Sequence, residues 1–406
     1  MPPINRRRFL TQSAALGCSA AASPLLTPIA LAAAPGEARL VVIVLRGGMD
    51  GLDVVRPYGD PDFAALRPKL AADRAKSHDL DGFFAAHPAL DRLMPLWSQG
   101  QLAFVQAVST PYRDKRSHFD GQDILEAGTP GLPGTRQDGW LNRLLQSMPD
   151  TEAKTAFAIG RDTMRVLSGS APVANWSPDA SLTLGPQTAR LLELMYHDDP
   201  VFRDTIAEAM DLSGALRSQA ASFEPENMMQ QMQATQRDMR QNGQEASVAS
   251  FAAEQLRGAT RIAAFSVNGW DTHAKQAQGI SRALERISDV ILTLRDELGP
   301  IWQNTTVMAM TEFGRTVREN GTQGTDHGTG GAMILAGGAI RGGQVFGRWP
   351  GLSEGDLYER RDLLPTADVR SYAAWTLREL FGADVANLET SVFPGLSMGD
   401  NPRLIL

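Results

Sequence analysis

Cysteine is almost missing from this chain. Its 406 residues include one, Cys18, inside an N-terminal stretch that reads as a leader. Without the leader no thiol remains, which excludes disulfides, thiolate metal ligands and a cysteine nucleophile. Histidine is scarce too, with six residues in all. Positive charge is in deficit: Lys and Arg number 39 against 46 Asp and Glu, a net charge of −7. The basic face that nucleic-acid binding requires is therefore not expected. Long apolar runs are also wanting after the leader, so no stable membrane span is expected there. What is present is ordinary for a water-soluble globular chain, with 43% hydrophobic and 21% charged residues. The length suits one large α/β domain or two smaller ones.

Residues 1–34 stand apart. Arg6, Arg7 and Arg8 precede Phe9-Leu10, a small-residue apolar stretch follows, and Ala30-Leu31-Ala32 offers an A-x-A cleavage site. This order predicts a twin-arginine export signal and a periplasmic or secreted product. A retained anchor is the competing reading, and Pro24 and Pro28 interrupt it. Lipidation at Cys18 is another, and the apolar run before it is short. Loss of the three leader arginines takes the net charge from −7 to −10.

From residue 35 to 406 the pattern predicts a single α/β domain. Short apolar runs at Leu40–Leu45, Leu102–Val108, Ala156–Ile159, Ile262–Val267, Thr305–Met310 and Ala332–Ala336 read as strands. Apolar residues at three- and four-residue spacing predict a helix over Gly279–Leu298, stopped by Gly299-Pro300. Further helices are expected over Ala89–Trp97 and from Ser117 to Leu125. Strands alternating with helices predict a mostly parallel central sheet covered on both faces. A Gln- and Met-rich stretch around 215–250 reads as a helical insertion.

In such a sheet, ligands bind beyond the carboxyl ends of the strands. The residues expected there are Asp50, Asp271, His273, Glu312, Asp326 and His327, with His118 after the second strand. Oxygen and nitrogen donors without sulfur suit a divalent ion such as zinc or manganese. Ser117, before a helix, is either its N-cap or a nucleophile placed at a positive helix end. Gly47 and Gly48 would let the backbone approach a bound ion closely. His78, His87 and His197 read as ordinary surface residues.

Together, "RRRFL", "VVIVLRGGMDGLDVVRP", "RSHFDGQD", "NGWDTH", "MTEFGRT" and "TDHGTGGAMILAGG" resemble the DUF1501 family of exported bacterial proteins. That family is in turn similar to the alkaline phosphatase and sulfatase superfamily. The second likeness implies metal ligation by Asp50, Asp271, His273, Glu312 and His327, and Ser117 at the nucleophile place. In a hydrolase of this kind His118 is expected as a ligand or leaving-group acid, and Arg315 or Arg46 as an anion clamp, since arginine forks match such oxygens. Glu312-Phe313 stands where that superfamily has an Asp-His pair. Either His118 or Asp326 then compensates, or the site holds one metal, or it holds none. The implied activity is metal-dependent hydrolysis of a small or polymeric phosphate or sulfate ester. The alternative is a non-catalytic member that binds a periplasmic polymer or a partner exported protein.

Overall fold

The computed structural model describes residues 37–113, 116–134, 138–148, 156–159, 164–176 and 245–406. Residues 1–34, expected to be an export signal, His197 and nearly all of the Gln- and Met-rich stretch lie outside the described residues.

Seven strands form the body of the main sheet: β1 (Arg39–Arg46), β2 (Leu102–Ser109), β3 (Ala156–Ile159), β4 (Ala174–Trp176), β5 (Ile262–Asn268), β6 (Thr305–Met310) and β7 (Gly331–Ala336). Two-residue strands β8 (Val345–Phe346) and β9 (Ala367–Asp368) complete it. The order is β8-β2-β7-β6-β1-β5-β3-β4, and β9 also pairs with β2. β1 lies at the centre, parallel to β5 (Leu40 opposite Ile262) and to β6 (Val41 opposite Val307). The sheet is mostly parallel but not wholly so. β7 runs antiparallel to both β2 and β6, so it enters the sheet at the edge where β1, β5 and β6 leave it.

Alternation along β1 divides the core in two. Val41, Ile43 and Leu45 face a layer made by α4 (Gln276–Leu298) and the helix α3 at residues 245–257. Leu40, Val42 and Val44 face the other layer, made by α2 (Trp140–Ser147) and α5 (Val369–Phe381). Both faces of a β1 residue pair are thus buried, as a central strand of this kind requires. α4 buries Ile280, Leu284, Ile287, Ile291, Leu294 and Leu298 along one stripe. Each large aliphatic side chain so buried contributes roughly 1.5–3 kcal/mol.

All six predicted strands are present within a residue or two of their expected ends. The helix predicted over Ala89–Trp97 is instead a 3₁₀ segment, Pro88–Leu93, followed by one α turn, Met94–Ser98. Pro95 has no N–H to give, so the helix cannot run straight through. His87 is not a surface residue. It is buried, and its Nδ1 caps this segment by accepting from the Ala89 N–H at 3.0 Å. Burial is the main cause that pushes its pKa down to about 4.

Candidate metal centre

The site forms where β1, β5 and β6 end and β7 begins. Gly47 and Gly48, just after β1, have φ of +125° and +67°. A Cβ on Gly47 would lie 2.5 Å from the Asp271 backbone nitrogen, and one on Gly48 2.7 Å from the Phe313 ring. The glycines therefore let this turn touch the loops after β5 and β6, and what they approach is protein. The Gly47 N–H donates to Glu312 Oε1 at 2.9 Å.

Glu312 follows β6 and is fully buried. Burial alone would raise its pKa. The hydrogen bond from His118, with others from Gly47 and Gln122, more than offsets this and holds the carboxylate ionised. His118 opens helix α1 (His118–Ala127), directly after the N-cap Ser117. Its Nδ1 is 2.8 Å from Glu312 Oε1, and this contact raises the pKa of the imidazole.

Asp271 lies beyond β5, and its Oδ1 is the hub. Arg315 Nη2 donates to it at 2.6 Å. His273 Nε2 is 3.0 Å away, His327 Nε2 3.4 Å and His118 Nε2 3.5 Å. Burial opposes ionisation of Asp271, but the Arg315 bond and charge win and its pKa is lowered. His327 is turned by a 2.7 Å contact from Nδ1 to the Arg116 carbonyl oxygen. His273 has its Nδ1 3.4 Å from Asp326 Oδ1.

The three rings share one logic. Each Nδ1 faces an oxygen that can only accept: Glu312, the Arg116 carbonyl, or Asp326. In the neutral ring Nδ1 then carries the proton, and Nε2 keeps a lone pair. All three lone pairs then turn toward one carboxylate oxygen, itself an acceptor. His273 Nε2 and His327 Nε2 are 2.8 Å apart. Among the described residues, buried His118 Nε2 has no hydrogen-bond partner. A cluster of acceptors at these spacings repels itself unless a proton or a cation sits among them.

A cation fits. His118, Asp271 and His327 each offer one ligand atom, and these atoms lie within 4.8 Å of one another. Donors bonded to tetrahedral zinc at about 2.0–2.1 Å stand about 3.3 Å apart, close to the 3.4 and 3.5 Å found here. Metal-bound histidines almost always donate their second ring N–H to a carboxylate or carbonyl, which is how all three rings are held. Phe313 completes the frame. Buried and 5.1 Å from His118 and 5.0 Å from His327, ring to ring, it packs against both imidazoles.

The sequence profile of a family described as a protein of unknown function (DUF1501) matches residues 107–385. The chain belongs to the DUF1501 family. No curated protein matches it. Among solved structures, the DUF1501 chain is similar to a protein in the alkaline phosphatase superfamily from Vibrio parahaemolyticus. That match has 9% identity and a TM-score of 0.40, and covers 90% of this chain and 72% of the other. A second is the integral membrane protein lipooligosaccharide phosphoethanolamine transferase A from Neisseria meningitidis. There the identity is 10% and the TM-score 0.34, with 82% of this chain and 55% of the transferase covered.

The DUF1501 chain does not gather every expected ligand. Asp50 is placed elsewhere: Oδ2 accepts from Arg67 Nη1 at 2.7 Å and from Gln276 Nε2 at 2.6 Å, and the residue is buried. Glu312 stands behind His118 instead of beside Asp271. Asp326, half exposed, bonds Asn320 and His273. Hydrogen bonding from Asn320, then from His273, lowers its pKa. Arg315 is not open to an anion. Its side chain is wholly buried, and its nitrogens donate to the carbonyls of Gly47, Gly48, Trp270 and Thr325 and to Asp271. Arg46 is engaged by Gln122 and Glu126. Ser117 caps α1, accepting a long 3.5 Å bond from the Asp120 N–H, while its own N–H donates to the Tyr112 hydroxyl. Sequence reading missed the orienting Arg116 carbonyl, the packing role of Phe313, and Gln276. A backbone carbonyl leaves no mark in a sequence, and a buried glutamine resembles any other.

Proposed function

We propose that this protein is an exported, single-metal hydrolase of phosphate or sulfate esters. One observation carries the reading: three imidazoles, each tied at Nδ1, turn Nε2 toward Asp271 Oδ1. His118, Asp271 and His327 would hold the ion, with His273 beside them. A zinc or manganese ion there would draw charge from the non-bridging oxygens of the ester.

The other groups are the chain's own. Glu312 and the Arg116 carbonyl would hold the remaining proton of His118 and His327 on Nδ1 once a cation displaces the one on Nε2, and they aim Nε2 inward. Arg315 keeps Asp271 ionised. Phe313 fixes both rings and fills the space a further ligand would need, which favours one metal over two. Ser117 supplies the hydroxyl. Among the described residues its oxygen is held by the long bond from Asp120 alone, at the N-terminus of a ten-residue helix whose dipole favours negative charge. In this reading Ser117 Oγ bonds to phosphorus or sulfur as the bridging ester bond breaks, the alcohol leaves, and water then frees the serine. The organic group of the ester has a place beside this serine. A cavity of about 270 Å³ is lined by Tyr112, Arg113, Asp120, Ile124, Pro130 and Leu132, and the Tyr112 hydroxyl touches the Ser117 N–H.

A second reading, a non-catalytic binder of a periplasmic polymer or partner exported protein, is favoured by one fact: Arg315 is already fully engaged. Metal analysis of the purified protein with aryl phosphate and aryl sulfate assays separates them. The hydrolase reading expects bound metal and turnover that Ser117→Ala and Asp271→Ala abolish. Metal uptake without turnover supports the binder, and neither metal nor turnover overturns the hydrolase.

A further inference from the structure

Beside the histidine cluster lies a second polar cluster, closed to solvent. At its centre is Gln276, the first residue of α4 and fully buried. Its Nε2 donates to Asp50 Oδ2 at 2.6 Å and to Asp53 Oδ2 at 2.9 Å. Its Oε1 accepts from the hydroxyls of Thr272 at 3.0 Å and Thr325 at 2.7 Å. A side-chain amide has two N–H donors and two carbonyl lone pairs, and all four are used. The orientation is dictated, because the opposite flip would turn a carbonyl oxygen on two carboxylates.

The partners matter for where they sit. Thr272 lies between Asp271 and His273. Thr325 is two residues before His327. Asp50 belongs to the turn after β1 and is anchored by Arg67, which also donates to the carbonyls of Thr316 and Val317. One side chain therefore joins the turn after β1, the loop after β5 and the loop before β7. The last two loops supply three of the four residues around the Asp271 hub.

We propose that Gln276 is a positioning residue for the metal centre, setting the Asp271–His273 loop against the His327 loop without touching metal or substrate. The proposal rests on the metal reading of the site. It explains why Asp50 lies at the strand end yet faces away from the histidines: it is the anchor on which Gln276 is hung.

The test is Co²⁺ binding to the full chain, followed by titration and by the visible absorption of the bound ion. Gln276→Glu keeps the shape but sets an acceptor against Asp50 and Asp53. The expected result is a Kd raised roughly 10- to 100-fold, the usual cost of losing a group that orients ligands, with a changed absorption band. Adding Asp53→Asn returns one donor to the new carboxylate and recovers part of the affinity. Thr325→Val deletes a single bond without altering charge, and carries the test by the same readout if Gln276→Glu fails to fold. A folded Gln276→Glu with wild-type Kd and spectrum overturns the proposal. Wild-type protein that takes up no Co²⁺ sinks the metal reading instead. Positioning is then read from the ring ¹⁵N shifts of His273 and His327 in metal-free protein. Shifts that move in Gln276→Glu and Thr325→Val support it, and unmoved shifts overturn it.

Discussion

Two polar clusters lie at the same edge of the sheet, and each is built on an aspartate paired with a buried arginine. In one, Asp50, Asp53, Arg56, Arg67 and Gln276 are buried together. Arg67 pairs with Asp50, Arg56 with Asp53, and Gln276 bridges both carboxylates. In the other, His118, His273 and His327 surround Asp271, a half-exposed carboxylate. The first cluster is electrostatically closed. The second is open: His118 Nε2 has no hydrogen-bond partner among the described residues, and two imidazole nitrogens face each other at 2.8 Å. The difference teaches that satisfaction, more than composition, separates scaffold from site. A closed network contributes rigidity, whereas an open one leaves lone pairs facing one another.

The sharpest way to break this comparison is to remove one aspartate from each side. Asp50→Ala leaves Arg67 buried and unpaired, and breaking a buried pair costs about 3–5 kcal/mol. Urea unfolding of the metal-free protein should show that loss. Asp271→Ala should cost less, since Asp271 is half exposed and Arg315 keeps four carbonyl partners. Its effect belongs to metal uptake, which it should abolish. Equal stability losses in the two variants would erase the distinction between the clusters.

These two aspartates also mark how far the sequence could be read. The strands were legible because each is a short apolar run between turn residues, and a central parallel strand needs nothing else. The direction of β7 was not legible, since an apolar run has no polarity. Strand ends were legible too, so Asp50, Asp271, His273, Glu312 and His327 were all placed at one edge. Which of them face one another was not. That was decided by Arg67, 17 residues from Asp50, and by Gln276, 226 residues away. Neither spacing is a motif. The same holds for His118, whose orientation depends on Glu312 across 194 residues of chain.

The next largest effect is in pH. His87 sits near Asp53, and burial lowers its pKa to about 4 from 6.5. The unfolded chain therefore binds more protons between about pH 6.5 and 4, so stability falls as pH drops through that window, by at most about 3 kcal/mol. His87→Asn keeps an N-cap acceptor and removes the titration, so its unfolding free energy should vary less over this range. His118 on the open side has the opposite sign. Its pKa is raised by Glu312, so its contribution is present below about pH 6.5 and lost as pH climbs through the raised value. Unfolding at pH 7, 5.5 and 4.5 checks the first, and a wild-type-like slope in His87→Asn would count against it.

A smaller effect tests whether the open side is oriented from behind. Glu312→Gln keeps the bonds' shape but takes the negative charge from His118 Nδ1. Metal affinity should fall about tenfold, with the fold intact, as measured by calorimetric titration. An unchanged Kd would mean that the Glu312 carboxylate only balances charge.

The smallest expected effect lies outside both clusters, in the cavity beside Ser117. Leu132 lines it and is 60% exposed. Leu132→Ser removes apolar area without reaching the histidines or Ser117. If an aryl group of the ester packs there, KM for an aryl phosphate should rise several-fold, about 1 kcal/mol of lost burial. kcat should stay level, the signature of an interaction made equally in ground and transition states. A short alkyl phosphate, too small to reach Leu132, should show no change. A fall in kcat with KM unchanged would instead mean that Leu132 holds the Tyr112–Ser117 contact in place, and would move this surface from substrate binding to support of the serine.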